Sequence, residues 1–293
     1  MESTGIGSQG GRGRFVSQAD VMQPGLRRRI AGGVRRGRQS SLVWLIRIAA
    51  LLIVFAMWEV VARNWISPLF IGQPTVIFAS LWTSLHTSIV TVDLPTTLIE
   101  TGVGYLIGSA AGMLVGFAVS YYPTWDRAFQ PLFTALNSFP RIALTPLFIL
   151  WFGIGISSKV ALAISTVFFV VMLNTRAGMV QTDRDTELLS RSLGATELQR
   201  LTYFVLPAAI PVIAVGLQLG LVYAFLASVG GEIIAGEHGL GVILGYDANT
   251  FQTSDYFAVL LLLAIVTTAI SGGLAELEKK LLWWHHVEMG GLR

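Results

Sequence analysis

After residue 41 the chain alternates long apolar runs with short polar segments. The runs lie near 42–62, 98–121, 130–152, 159–179, 205–229 and 257–276. Each approaches the ~20 residues that carry a helix across a bilayer. The pattern predicts six membrane-spanning helices. The main polar interruption, between the fourth and fifth runs, extends from Asp183 to Pro211. It is too polar to cross a bilayer, yet it is patterned. Thr182 with Asp185 and Thr196 with Gln199 fit capping boxes, and Gly194 between them is placed to end a helix in the left-handed conformation. Leu188, Leu189 and Leu193, then Leu198, Leu201 and Phe204, recur near helical spacing, so each short helix has an apolar face. The segment is either a connector packed on its own membrane domain or a docking element for another protein.

Composition agrees with the spans. Of 293 residues 53% are hydrophobic and 13% charged, where soluble domains carry about 25% charged residues, and mean hydropathy is +0.66. Long runs in place of short alternating strands favour helices over a barrel. With no cysteine, disulfide scaffolds, thiolate metal sites and cysteine nucleophiles are excluded. The basic charge concentrates in residues 1–41, which hold eight arginines against Glu2 and Asp20. Such a tail cannot bury a core and is expected to be disordered. Its arginines suit anionic lipid heads, at roughly 1 kcal/mol each, and not nucleic acid.

With the N-terminus inside, the cytoplasmic connections are 122–129, 180–204 and the C-terminal tail, 283–293. They carry Arg127, Arg184, Arg191, Arg200 and Arg293, with Lys279 and Lys280 just ahead of the tail, while the outer connections 63–97, 153–158 and 230–256 carry only Arg63, with Lys159 at a boundary. Six spans therefore satisfy the positive-inside rule, with both termini cytoplasmic in a cell membrane. Residues 73–95 read as an amphipathic helix on the outer surface.

Gly104, Gly108, Gly112 and Gly116 recur at every fourth residue in the second span, a smooth face for close helix packing within one subunit or between subunits. Gly216 and Gly220 repeat the theme in the fifth. In 137–159, Pro140 and Pro146 each remove a backbone donor, which predicts a kink or break. Arg141 between them either faces the path of an anionic substrate, snorkels to the cytoplasmic side, or pairs with an acid such as Asp126. Asn174 either bonds across helices or lines a path. Glu100 has no evident partner, and 230–245, with two carboxylates among glycines, reads as an outer loop that partly re-enters the membrane.

No G-x-x-x-x-G-K-[ST] loop occurs, so ATP hydrolysis is not expected of this chain. The four histidines lack zinc-ligand spacing, and no metal site or catalytic residue is expected.

The central segment resembles the signature of the membrane subunits of binding-protein-dependent ABC importers: Glu-Ala-Ala, three residues, Gly, nine residues, Ile, one residue, Leu-Pro. Gly194 is followed by nine residues and then Phe204, Val205, Leu206 and Pro207. The chain departs from the signature where Leu188, Leu189 and Ser190 replace Glu-Ala-Ala, with Glu187 one residue early, and at Phe204. Pro140-Arg141, Trp151-Phe152-Gly153, Ser158-Lys159 and Asn174-Thr175 resemble the nitrate, sulfonate, taurine and bicarbonate branch.

The resemblance implies an all-α permease of type I importer architecture over 42–282, with a coupling loop at 180–204. Glu187, Leu188, Leu189, Gly194, Ala195, Leu206 and Pro207 would then engage a separate ABC ATPase subunit, which holds the ATP and Mg; this chain would bind no cofactor. A second permease copy and an extracytoplasmic solute-binding protein complete the implied assembly. Asn137, Pro140, Arg141 and Asn174 are the expected lining of a path for a small, anionic solute. An ion-driven secondary transporter would need paired intramembrane carboxylates and an internal repeat. A membrane scaffold whose loop binds a regulator is the remaining reading.

Overall fold

The computed structural model describes residues 24–67, 69–181, 188–190 and 192–281. Every regular element among the described residues is helical. The chain divides at Val60 into two units. The first contains most of α1, Pro24–Asn64. Its residues 43–60 expose apolar side chains around the helix, Trp44, Leu45, Leu52 and Ile53 among them, as suits a helix meeting lipid. The stretch apolar enough to span starts at Val43, beside the expected 42, while the helix itself extends back to Pro24. Proline is pre-organised for a first helical turn, no other follows until Pro68, and the intervening arginines are good helix formers. A segment unable to bury a core can therefore still be helical; residues 1–23 lie outside those described.

The second unit contains α2 (Pro74–Ser84), α3 (Leu94–Tyr121), α4 (Pro123–Asn137), α5 (Thr145–Phe152), α6 (Ile156–Val180), α7 (Glu197–Arg200), α8 (Leu206–Ile234), α9 (Leu240–Asn249) and α10 (Thr253–Leu281). Five stretches are long and apolar enough to span: Val43–Asn64, Ile89–Tyr121, Ile156–Val180, Glu197–Ile234 and Thr253–Lys280. The expected third span, 130–152, is instead a pair, Thr124–Asn137 and Arg141–Phe152, bent by 76°. It makes a sixth if the pair counts as one. The break falls at 138–140, where Pro140 is extended (ψ 98°) and starts a 3₁₀ turn, Arg141–Leu144. Pro146 lies in the first turn of α5, where its missing N–H costs nothing. The expected outer helix at 73–95 is likewise divided, into α2 and a π turn, Ile89–Asp93, that leads into α3.

α3, α6 and α8 form the core. A Cβ on Gly108 would come within 2.9 Å of the Val167 Cβ, on Gly112 within 2.6 Å of the Phe168 carbonyl oxygen, and on Gly116 within 2.8 Å of the Thr175 Cβ; on Gly104 it would overlap Ala163. The glycine face of α3 is thus occupied by α6 of the same chain. On the α8 side Gly216 meets Asn174 and Gly220 meets Val171. Leu162, Ala163, Val167 and Val171 of α6 are fully buried between them.

Because the neighbour at Gly112 is backbone, a methyl there cannot be accommodated by a rotamer change. Gly112→Ala is expected to destabilise the chain by about 1–3 kcal/mol, read as an earlier midpoint in denaturant titration of the purified protein in detergent. A midpoint equal to the parent's would contradict this close packing.

Candidate functional site

At one end of the bundle lies the polar segment. Residues 188–190 are helical, and Leu193 N–H donates to Leu189 O at 3.0 Å. Gly194 is left-handed, φ +69°, and Ala195 N–H reaches back to Ser190 O at 3.1 Å. That is the six-to-one bond of a glycine-terminated helix. Thr196 then caps α7: its hydroxyl accepts from Gln199 N–H at 3.3 Å, and its own N–H donates to Gln199 Oε1 at 2.9 Å. A π turn, Leu201–Val205, leads into α8, with Leu206 and Pro207 in its first turn.

Ser190 is fully buried, while Leu188 and Leu189 are 56% and 55% exposed, and Leu193 and Leu198 still more so. Ser190 lines a hollow of 170 Å³ with Tyr121, Met179 and Leu201. The segment therefore rests on the ends of α3 and α6 and turns its leucines outward. The buried Ser190 side fits the connector reading. Glu187 and the Thr182–Asp185 capping box lie outside the described residues.

Arg141 follows the break after α4. Its guanidinium donates to the carbonyls of Leu136 (2.9 Å), Phe139 (3.2 Å) and Asn137 (3.4 Å), and stacks 4.5 Å from the Phe169 ring centroid. It covers the orphan carbonyls that any helix C-terminus leaves. Asp126 is not its partner: that carboxylate is held by both Nε and Nη2 of Arg176, the latter at 2.9 Å. Arg141 and Asn137 line a cavity of 340 Å³ with Phe139, Ile142, Thr166, Val170, Tyr223 and Leu226. Pro140 makes the break without lining the cavity. Asn174 is elsewhere, donating to Val170 O at 2.8 Å and packed on Gly216.

The opposite end holds a polar cluster that the sequence did not assemble. Thr97, Glu100, Thr101, Lys159 and Glu232 are each at most 2% exposed. Glu232 accepts from Thr97 Oγ1 at 2.8 Å and from Gly241 N–H at 2.6 Å, and the Glu100 carboxyl lies against it. Lys159 Nζ donates to Ile154 O and Gly155 O. Glycines at 236, 239 and 241, close after Glu232, were the available signal. No group of three His, Asp or Glu side chains among the described residues is placed to hold a metal. Beyond the spanning helices, on α9, Asp247 is 4% exposed with Oδ2 unbonded. Burial and then Asp255 push its pKa up to about 6.

A membrane-crossing helical bundle with a self-capped, leucine-bearing segment at one end has the architecture of a transport permease. The chain belongs to the family of binding-protein-dependent transport system inner membrane components, whose model matches residues 104–277, more than half of its length. It is 29% identical to the formylaminopyrimidine transport permease protein ThiX of Halalkalibacterium halodurans over 80% of this chain and 93% of that one. It is 29% identical to the taurine transport system permease protein TauC of Escherichia coli (81% and 88% covered). Against the putative aliphatic sulfonates transport permease protein SsuC of Bacillus subtilis the identity is 28% (83% and 88%). Among solved structures the fold is similar to an amino acid ABC transporter determined with histidines (TM-score 0.52, 20% identity, 71% of this chain and 95% of that one). It is similar too to the inward-facing methionine ABC transporter MetNI (TM-score 0.50, 19% identity, 71% and 96%). The chain is an ABC importer permease subunit.

The Asp247 carboxyl binds its proton more tightly in the folded than in the unfolded chain. Its contribution to stability is therefore full below about pH 4 and is lost as pH rises through about 6, a change of roughly 1–3 kcal/mol. Asp247→Asn should raise the thermal midpoint above the parent's at pH 7.5 and flatten its dependence between pH 4 and 7. Parallel pH profiles for the two proteins would refute this.

Proposed function

We propose that two copies of this chain form the translocation path of an ATP-driven importer for a small anionic solute. A separate ATPase subunit receives the 188–207 segment, and an extracytoplasmic binding protein delivers the solute at the opposite end. The carrying observation is the outward pair Leu188 and Leu189 beside the Gly194 turn. Apolar side chains on a self-capped element, in a segment too polar for the bilayer, call for a protein partner. The arginines and lysines that flank this end in sequence support its placement on the cytoplasmic side. No charged residue occupies the Glu-Ala-Ala positions, so the contact is apolar.

Replacing Leu188 and Leu189 together by Asp should abolish ATP-driven uptake in proteoliposomes while membrane insertion and the detergent elution profile stay as in the parent. Parent-level uptake in the double variant would overturn the apolar seat.

The anionic solute rests on Arg141. Three of its five N–H groups are given to carbonyls, which leaves two for an anion in the adjoining cavity. Relatives named for taurine and aliphatic sulfonates fit this reading; the one named for formylaminopyrimidine makes a heteroaromatic solute the alternative outcome. Arg141→Ala should reduce taurine or alkanesulfonate uptake by about ten- to hundredfold, the equivalent of one or two hydrogen bonds to a charged group. Unchanged uptake kinetics would leave Arg141 with its helix-capping role alone.

A further inference from the structure

Gly239, Leu240 and Gly241 open α9 with three successive backbone N–H groups. A helix is ordinarily capped by the side chain at its own N-cap, but here that residue is Gly239. The bonds come from other helices. Gly239 N–H donates to Asp93 Oδ1 at 3.0 Å, Leu240 N–H to Thr97 Oγ1 at 2.9 Å and Gly241 N–H to Glu232 Oε2 at 2.6 Å. The Thr97 hydroxyl proton goes on to Glu232 Oε1, which ties the start of α3 to the end of α8. The backbone is shaped to admit the carboxylate. Gly239 has φ +124°, a Cβ there would overlap Glu232, and a Cβ on Gly241 would come within 2.7 Å of the Glu232 Cβ.

The three bonds that cap α9 therefore depend on the present register of α3 and α8. Glu100 lies about 30 Å along α3 from Tyr121 at 1.5 Å per residue, and Tyr121 lines the hollow under the 188–207 segment. One stiff helix thus joins the ends. An axial slip of about 2 Å between packed helices, a size seen in switching proteins, stretches a transverse bond of 2.6–3.0 Å to about 3.3–3.6 Å, beyond the usual hydrogen-bond range.

We propose that Asp93, Thr97 and Glu232 form a clasp that holds α9 closed on the bundle, and that it opens when α3 slides against α8 during transport. They are positioning residues, acting on α9. Release would uncover the apolar cluster of Leu240 and Leu244 with Val259, Leu262 and Leu263 of α10.

The absence of cysteine makes the test direct. Val259→Cys, at a site 1% exposed, is placed in the full chain in nanodiscs with the ATPase subunit and the binding protein. Its rate of reaction with a charged maleimide is then followed. At rest the reaction is expected to be slow. Glu232→Gln and Thr97→Val should each accelerate it about tenfold, as for loss of one strong hydrogen bond, whereas Thr97→Ser keeps the parent rate. ATP turnover should accelerate the parent similarly and Glu232→Gln little further. A parent-like resting rate in Glu232→Gln overturns the clasp; an unchanged parent rate during turnover, with phosphate release measured in the same sample, overturns its opening. The turnover arm rests on the importer reading. Absent phosphate release counts against that reading, and the resting rates then decide the clasp alone.

Discussion

The close approach of α3 and α8 to the two sides of α6 is the constraint on which the rest of the structure depends. Helices in lipid gain nothing from hiding apolar surface from one another, so their association relies on close van der Waals packing and on polar contacts. The glycine face of α3 brings its backbone against Phe168 and Val171, and Gly216 and Gly220 do the same for α8 at Asn174 and Val171. α6 is thereby gripped along its length, and its inward residues are buried completely. The result is a three-helix stem whose resting register is set from one end of the bundle to the other.

The resting register is what makes the buried polar groups tenable. A buried polar group left without a partner costs about 1–3 kcal/mol, and poor geometry leaves that cost uncompensated. Glu232 has two well-placed donors, the Thr97 hydroxyl and the Gly241 N–H. The opposite end is built on another principle. The 188–207 segment is shaped by local devices, the Gly194 turn and the Thr196 box, and seated on the bundle through buried Ser190 and through Leu201 and Val205, while Leu188, Leu189, Leu193 and Leu198 stay exposed. An element shaped by its own caps can leave one apolar face unsatisfied.

What the sequence disclosed follows from how local each feature is. Five of the six spans, the Gly194 turn and the second capping box depend on residues within a few positions of one another, and they lie close to where the pattern put them. The third span was legible as broken because proline acts locally, but the 76° bend is set by packing. The first span starts at Val43, beside the expected 42, and helix continues back to Pro24 because a segment that cannot build a core can still form helix. Partner assignments failed with distance. Asp126 and Arg176 are 50 residues apart, Thr97 and Glu232 are 135 apart, and no periodicity joins them. Asn174, read as bonding across helices or lining a path, bonds to Val170 of its own helix and packs on Gly216, a neighbour that its polarity alone does not name.

Arg141 shows how one break in a helix yields both structure and a candidate binding feature. Ending α4 at Asn137 leaves carbonyls without intrahelical donors, and the guanidinium bonds two of them, Leu136 and Asn137, with Phe139 in the break, while stacking on Phe169. The planar fork can do this and keep donors over, whereas a lysine ammonium, with three donors in all, would be used up by the same carbonyls. The charge at the cavity wall is thus held by several contacts at once, without the freedom of a long side chain. On the anionic reading, that fixation spares the entropy of ordering it when solute arrives. Capping the break and meeting the solute are compatible because they use different N–H groups of one rigid plane.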